Sequence, residues 1–282
     1  MTKETTITTA FYNSERHLPN YLSCLLNLDY PKECLNLLWA DNGSIDKTKG
    51  LLSDFLKKHG KEYNSFKLLD APRLSQTDKK DFHIANIMNA LFKHAETNVI
   101  NIDSDICAPS DSIRKLLFMN KVHNANICGG ITAFLILQEG VLVPVLNAFM
   151  FDWKSRECFG NVAQYYRKQN GSVHVPFVKI EVDSCGFALC FIEKRILRQL
   201  RCRVYSGDEF FHKCEVFPCV DIQFCLDAKL LGFTVMVDTS LFFKHSTLSY
   251  EVDIHRECIE IRSSAWTKKK NTRGNKDKNL CA

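Results

Sequence analysis

The sequence predicts an α/β fold, a mostly parallel sheet flanked by helices, in a single two-lobed domain. Short apolar strand patterns alternate with helical patterns through the first half of the 282 residues, which calls for a parallel sheet covered on both faces. No Gly/Pro/Ser-rich linker divides the chain. Three polar clusters each follow an apolar strand: Tyr12-Asn13-Ser14-Glu15, Asp41-Asn42-Gly43-Ser44 and Asp103-Ser104-Asp105. Beyond the carboxyl ends of strands is where the chemistry of open α/β sheets gathers.

Taken in order, residues 5–11 (TTITTAF) are β-rich. Residues 18–28 carry helical spacing at Leu18, Tyr21, Leu22, Leu25 and Leu26. A second strand spans 35–40, and a helix over 47–58 sets Leu51, Leu52, Phe55 and Leu56 on one face. A short strand follows at 66–69, then a helix over 84–95 with Ile84, Ile87, Met88, Leu91 and Phe92 inward. Residues 99–102 form another strand and 109–120 another helix, with Pro109 suited to its first turn. The second half is less regular. The apolar stretch 131–144, broken by Gln138, Glu139 and Gly140, reads as two strands around a turn. Strands are expected at 141–151 and 173–182, a short helix at 193–200, a clear helix at 221–231, and strands at 235–237 and 241–244.

Composition narrows the class. Apolar residues make 45% and charged residues 24%, which is ordinary for a globular protein and excludes disorder over most of the length. The 13 cysteines show no C-x-x-C pair, and several sit in apolar runs such as Leu189-Cys190-Phe191 and Phe224-Cys225-Leu226. They read as reduced, small hydrophobes, which argues against a disulfide scaffold or a structural zinc site. The net charge of +5 is uneven: residues 262–282 hold seven Lys or Arg and one Asp, out of totals of 37 and 32. The body is nearly neutral and the tail is basic. That tail, with no apolar period, is expected to be disordered. It is either solubilising or a contact for anionic lipid or nucleic acid, and nothing else in the chain supports a nucleic-acid fold. Residues 1–6 lack a signal-peptide core, and no apolar run reaches about 18 residues. A soluble, cytoplasmic protein is expected, able to sit at the cytosolic face of a membrane through its tail.

Two carboxylates in D-x-D spacing at a strand end, Asp103 and Asp105, can share a hard divalent cation, Mn²⁺ or Mg²⁺, and through it a nucleotide diphosphate. The alternative is a solvated loop capping the next helix, but the position after a buried strand favours the metal reading. In Asp41-Asn42-Gly43-Ser44-Ile45-Asp46, Gly43 permits a left-handed turn, and Ser44 or Asp46 can cap the following helix. Beyond that turn chemistry, the Asp41 carboxylate is available for a base or ribose hydroxyl.

The ordered set of motifs resembles the GT-A fold glycosyltransferases, Rossmann-like enzymes, and in particular family 2-like members. It comprises Thr9-Ala10-Phe11-Tyr12-Asn13-Ser14-Glu15, Trp39-Ala40-Asp41-Asn42-Gly43-Ser44-Ile45-Asp46-Lys47-Thr48 and Ile102-Asp103-Ser104-Asp105. Further on, 182–192 resembles the strand beside the acceptor, 220–233 the family's "ED-x-D-L-C" helix, and Asp238-Thr239-Ser240 with His245 its closing "D-S…H". Residues 182–192 and 84–105 also resemble the Anp1-type mannosyltransferases, which share the fold but retain anomeric configuration. The resemblance covers roughly 5–250. It implies a GT-A domain over 1–250, with a nucleotide-sugar half at about 1–105 and an acceptor half at 106–250. Residues 251–282 are then a C-terminal extension carrying the basic tail.

The resemblance also implies roles. Ala10, Tyr12, Glu15, Asp41, Asn42, Asn86, Asp103 and Ser104 would line a UDP- or GDP-sugar. Asp103, Asp105 and His245 would hold Mn²⁺ or Mg²⁺, and Asp221 would be the base that deprotonates a glycan or other hydroxyl acceptor. Lys244 and Arg73 could add positive charge near the phosphates. Asn86 is equally a polar residue on a helix face, and Trp153, Tyr165 and Tyr166 suit either acceptor stacking or core packing. The sequence departs from the family at Val220, where its Glu is missing, and at Asp227, where an Arg is usual. Asp208-Glu209 is an alternative carboxylate source. A retaining transferase and a non-catalytic nucleotide-sugar-binding protein are the other readings the motifs allow. A nucleotidyltransferase would show a Gly-rich loop that residues 8–14 lack.

Overall fold

The computed structural model describes residues 3–71, 80–138, 141–152, 157–161, 168–169, 172–204, 219–246, 250–254, 256 and 258–263. Arg73, Trp153, Tyr165, Tyr166, Asp208, Glu209 and the basic tail beyond 263 lie outside the described residues.

The first half alternates as its periodicity predicts: β1 (Thr5–Phe11), α1 (Leu18–Leu26), β2 (Leu35–Asp41), α2 (Thr48–His59), β3 (Ser65–Asp70), α3 (Lys80–His94) and β4 (Asn98–Ile102). There follow β5 (Ile106–Cys107), α4 (Ser112–His123), β6 (Ile127–Ile131), β7 (Ala133–Gln138), β8 (Val141–Leu146), β9 (Ala148–Asp152), β10 (Glu157–Asn161), β11 (Lys168–Gln169), β12 (Ser172–Pro176), β13 (Lys179–Val182), β14 (Ser184–Cys185) and β15 (Leu189–Ile192). The chain continues through α5 (Lys194–Leu197), α6 (Val220–Leu230), β16 (Val235–Phe242), β17 (Lys244–His245), β18 (Tyr250–Ile254) and β19 (Cys258–Ser263).

Eight strands make the central sheet in the order β13-β16-β6-β15-β4-β1-β2-β3. Strand β1 lies between β4 and β2, parallel to both, and β2 continues in parallel to β3. The strand order reverses at β1, which opens a crevice at the carboxyl ends of β1 and β4. Strand β16 runs parallel to β6, while β15 runs antiparallel between β4 and β6 and β13 antiparallel at the edge. The reversed β15 decides where the chemistry lies. Its amino-terminal loop, residues 186–188, reaches the same sheet edge as the carboxyl end of β4.

Strand side chains alternate between two cores, as the period of two requires. Leu37, Trp39, Ile100, Ile102, Leu189 and Phe191 face α1, α2 and α4; Leu38, Ala40, Val99, Cys190 and Ile192 face α3 and α6. On the first face Trp39, Phe11 and Tyr21 meet edge to face at 5.5–6.2 Å. Each such buried side chain contributes about 1.5–3 kcal/mol. Tyr21 also pins α1 to β1 through its hydroxyl, 2.6 Å from Thr9 Oγ1.

Four points differ from the expectations. Helix α4 starts at Ser112 rather than 109, because the Pro109 carbonyl accepts the Ser112 N–H (3.1 Å) in a turn that precedes the helix. The strand expected at 235–237 runs on into β16 as far as Phe242, and Lys244 of the strand expected at 241–244 falls in β17; the register of β16 against β6 slips between Asp238 and Phe242. There Ser240 N–H and Oγ both bond Asp238 Oδ1. Strand β6, a central strand, has no counterpart among the predicted elements. Beyond residue 250, β18 and β19 form a sheet with β11 and β12, and Ile259 and Ile261 are buried in the core. Folded structure therefore runs past that boundary to Ser263. No helix among the described residues is long and apolar enough to cross a membrane.

Candidate active site

Strand β1 ends at Phe11, and the next turn is tied to the turn after β2. Asn13, at φ +48°, donates from its N–H to Ser44 Oγ (3.0 Å), and its Oδ1 accepts the Ile45 N–H (2.9 Å). Ser14 N–H donates to Thr48 Oγ1 (2.7 Å) and Glu15 N–H to Asp46 Oδ2 (3.1 Å). Glu15 in turn accepts the Lys47 N–H (3.2 Å) and faces Lys47 Nζ at 3.4 Å. Asp46 also accepts the Thr48 N–H (3.0 Å) at the start of α2. Slight burial works against its ionisation, but the bonds from Thr48 and Glu15 hold its carboxyl below the usual range. Gly43, at φ +76°, supplies the left-handed residue expected of this turn. Glu15 and Asp46 are thereby committed to building the loop. Ala10 packs within β1 against the core, Tyr12 is exposed, and Asn42 N–H bonds the Phe11 carbonyl (2.8 Å).

Asp41 ends β2 and is 2% exposed. Its Oδ2 accepts a long bond from Ser44 N–H (3.3 Å), while Oδ1 is buried and has no partner among the described residues. An unpaired buried carboxylate oxygen is costly and rare. It leaves an acceptor that a ligand N–H or O–H could satisfy.

Asp103 follows β4. Its N–H bonds the Ala188 carbonyl (2.9 Å), and its Oδ1 accepts from Asn101 Nδ2 (2.9 Å). Asn101, fully buried, also donates to the Phe187 carbonyl (2.7 Å) and accepts from Thr8 Oγ1 (3.1 Å). It fastens the 186–188 loop to β4 and β1. Ser104 Oγ accepts from Ser14 Oγ (3.1 Å), which joins the first and third polar clusters. Strand β17 pairs with β5 and brings His245 beside Asp105, Nδ1 to Oδ2 at 3.2 Å. Burial, and then the neighbouring Asp105 charge, push the Asp103 carboxyl up to about 6. Burial favours neutral His245, but its bond to Asp105 and the charge there raise its pKa above the ordinary value. Among the described residues no group of three His, Cys, Asp or Glu is arranged as a ready ligand set for a metal.

Asp221 lies in the first turn of α6, where the helix dipole favours an anion. Its Oδ1 accepts the Ile222 N–H (2.9 Å) and its Oδ2 the Phe187 N–H at 3.4 Å. Burial raises its pKa despite these bonds. Phe187 is wedged between Phe92 and Phe224 at 6.1 and 5.4 Å, so the loop touching both Asp103 and Asp221 is anchored in the core.

Asp41, Asp103, Ser104, Asp105, His245 and Asp221 thus gather at one sheet edge. Asn86 stands apart, on the exposed side of α3 whose inward positions are Ala85, Ile87 and Met88. Lys244 is exposed beside His245. Asp227, where the motif has Arg, receives a two-pronged bond from Arg203 (2.9 Å each) and one from Gln223 (2.7 Å). Asn101 was not anticipated. The signal for Asn101 was a polar residue inside an apolar strand, which must find buried partners.

No protein-family model matches the chain. Over 51 residues, 18% of this chain and 9% of the relative, it is 41% identical to the mouse (Mus musculus) protein described as inactive glycosyltransferase 25 family member 3. Solved structures match over far more of the chain. The mannosyltransferase PcManGT from Pyrobaculum calidifontis, in complex with GDP-Man and Mn²⁺, superposes with a TM-score of 0.56 at 13% identity. That match covers 88% of this chain and 58% of the other. S. aureus TarS 1-349 superposes at 0.50 with 16% identity, covering 85% and 59%; it is also known in complex with UDP-GlcNAc. The chain therefore spans less than two thirds of the length of these proteins. With its sheet order and its helices on both faces, it has the glycosyltransferase GT-A fold.

Proposed function

We propose that the protein is a metal-dependent glycosyltransferase that moves a sugar from a nucleotide-diphosphate sugar to an acceptor hydroxyl, with inversion. The observation that carries this reading is the meeting of Asp41, the Asp103–Asp105–His245 group and Asp221 at the crevice where the strand order reverses.

The unpaired Asp41 oxygen suits a base N–H or a ribose hydroxyl. Asp103 and Asp105 crowd each other, which helps to raise the Asp103 carboxyl to about 6, a conflict that a divalent cation between them would relieve. Two carboxylates and an imidazole are donor types that Mn²⁺ or Mg²⁺ would accept, although the three side chains are not arranged as a ready ligand set. Asp103, Asp105 and His245 would hold the ion, which when bound supplies charge to stabilise the departing diphosphate. Asp221 accepts the acceptor's proton as the hydroxyl oxygen bonds to the anomeric carbon and the bond to the diphosphate breaks. Its raised pKa makes it a stronger base than an ordinary carboxylate. A single displacement with one base inverts the anomeric centre.

UDP- and GDP-sugars both remain donors on this reading. The free buried thiols Cys185, Cys190 and Cys225 suit a reducing, cytoplasmic setting, with the basic tail available to an anionic membrane surface. The test is thermal stability with UDP-GlcNAc and GDP-mannose, with and without Mn²⁺. One of them should raise the melting temperature in a metal-dependent way. No shift with any nucleotide-sugar would refute donor binding.

A further inference from the structure

His245 reaches the D-x-D loop on β17, a strand of two residues. So short a strand keeps its place only through what borders it. Before it, Phe243 N–H bonds the Ile131 carbonyl (3.1 Å); after it, Ser246 N–H bonds the Asp105 carbonyl (2.9 Å). Ser246 has one more tie. Its hydroxyl stands 3.2 Å from Nδ1 of His17, 229 residues away in the chain.

His17 is half-buried and occupies the N-cap of α1, where Ser, Thr, Asp or Asn would bond the first free N–H groups of the helix. Its side chain makes no such bond; its partner is Ser246. The His17 N–H bonds the Ser14 carbonyl (2.9 Å), and Ser14 Oγ meets Ser104 Oγ (3.1 Å). A ring of hydrogen bonds therefore runs from the loop after β1, through the D-x-D loop, to the segment that carries His245. The imidazole of His17 closes it.

We propose that His17 is a positioning residue that acts through Ser246 to hold His245 against Asp105. The inference rests on the metal-binding reading of the cleft. Asp103, Asp105 and His245 are not arranged as a ready ligand set, so an ion must draw them together. A β17 fixed at its far end by Ser246 leaves less freedom to be lost when that happens. His17 contributes to divalent-cation affinity through this tie and not through contact with the ion.

The test measures Mn²⁺ binding to the full chain by electron paramagnetic resonance, with UDP or GDP present, beside the affinity for UMP or GMP without metal. The variants are His17→Ser, which caps α1 well but is too short to reach Ser246, Ser246→Ala, and the two combined. Each single change should weaken Mn²⁺ binding about 3- to 10-fold, less than the loss of a group bonded directly to a ligand. Monophosphate affinity should stay at the wild-type value. The double variant should lose no more than either single one, because both remove the same contact. Unchanged Mn²⁺ affinity in His17→Ser, losses that add in the double variant, or an equal loss of monophosphate binding would each overturn the inference. Wild type that binds no Mn²⁺ with either diphosphate overturns the metal reading itself, and this inference with it.

Discussion

Replacing Asp103 by Asn should stabilise the fold and remove the function. In the metal-free protein the Asp103 carboxyl titrates at about 6 against an ordinary 3.8, chiefly through burial and then through the Asp105 charge. A raised carboxyl pKa means that the folded state binds the proton more tightly than the unfolded chain. Ionised Asp103 therefore penalises folding above about pH 6, and the penalty fades as pH falls toward 3.8. The rise from 3.8 to about 6 sets a ceiling of ~3 kcal/mol on that penalty. The attraction to His245 is already contained in that shift, and partial exposure reduces the net gain to about 1–2 kcal/mol. Asn is nearly isosteric and can still accept from Asn101 Nδ2. At roughly 2–4 °C per kcal/mol for a chain of this size, Asp103→Asn should melt about 2–8 °C higher near pH 7.5 in EDTA. Calorimetry from about pH 4 to 8 should show the gap closing at the acid end. Mn²⁺ should raise the melting temperature of the wild type and leave the variant unmoved. A variant that melts below wild type at neutral pH, or a gap independent of pH, would refute the reasoning.

The other sites carry their own expectations. Asp221→Asn should fold, bind donor with metal and lose about 10²–10⁴-fold in kcat, as read by single-turnover transfer; retained turnover would remove Asp221 as the base. Asp41→Ala should raise the donor KM about 10- to 100-fold with kcat little changed, because it removes a contact made equally in the ground and transition states. Gly130→Ala should cost about 1–3 kcal/mol in urea unfolding, since its Cβ would collide with the Leu241 carbonyl oxygen.

Much of the first half was legible in the sequence because polar clusters punctuate apolar runs there. Phe11, Asp41 and Ile102 end strands where their patterns stop, and Gly43 takes the left-handed turn its neighbours call for. Strand β6 was not legible. Its ICGGI sequence has two glycines and little β propensity, and their reason is tertiary: Gly129 faces Cys185 and Gly130 faces Leu241. The reversed direction of β15 was equally hidden, since periodicity is the same for parallel and antiparallel strands. Yet that reversal sets the 186–188 loop against Asp103 and Asp221. Asn86, taken from the resemblance, sits on an exposed helix face where sequence position alone could not separate the two roles.

The central claim is that this cleft transfers sugar from a nucleotide diphosphate with Asp221 as base. Its most direct measurement incubates wild type and Asp221→Asn with UDP- and GDP-sugars, methyl glycoside acceptors and Mn²⁺, and follows product by NMR. The account predicts a glycoside of inverted anomeric configuration from the wild type, none in EDTA and almost none from the variant. A product that retains configuration, or one formed equally by Asp221→Asn, would contradict it.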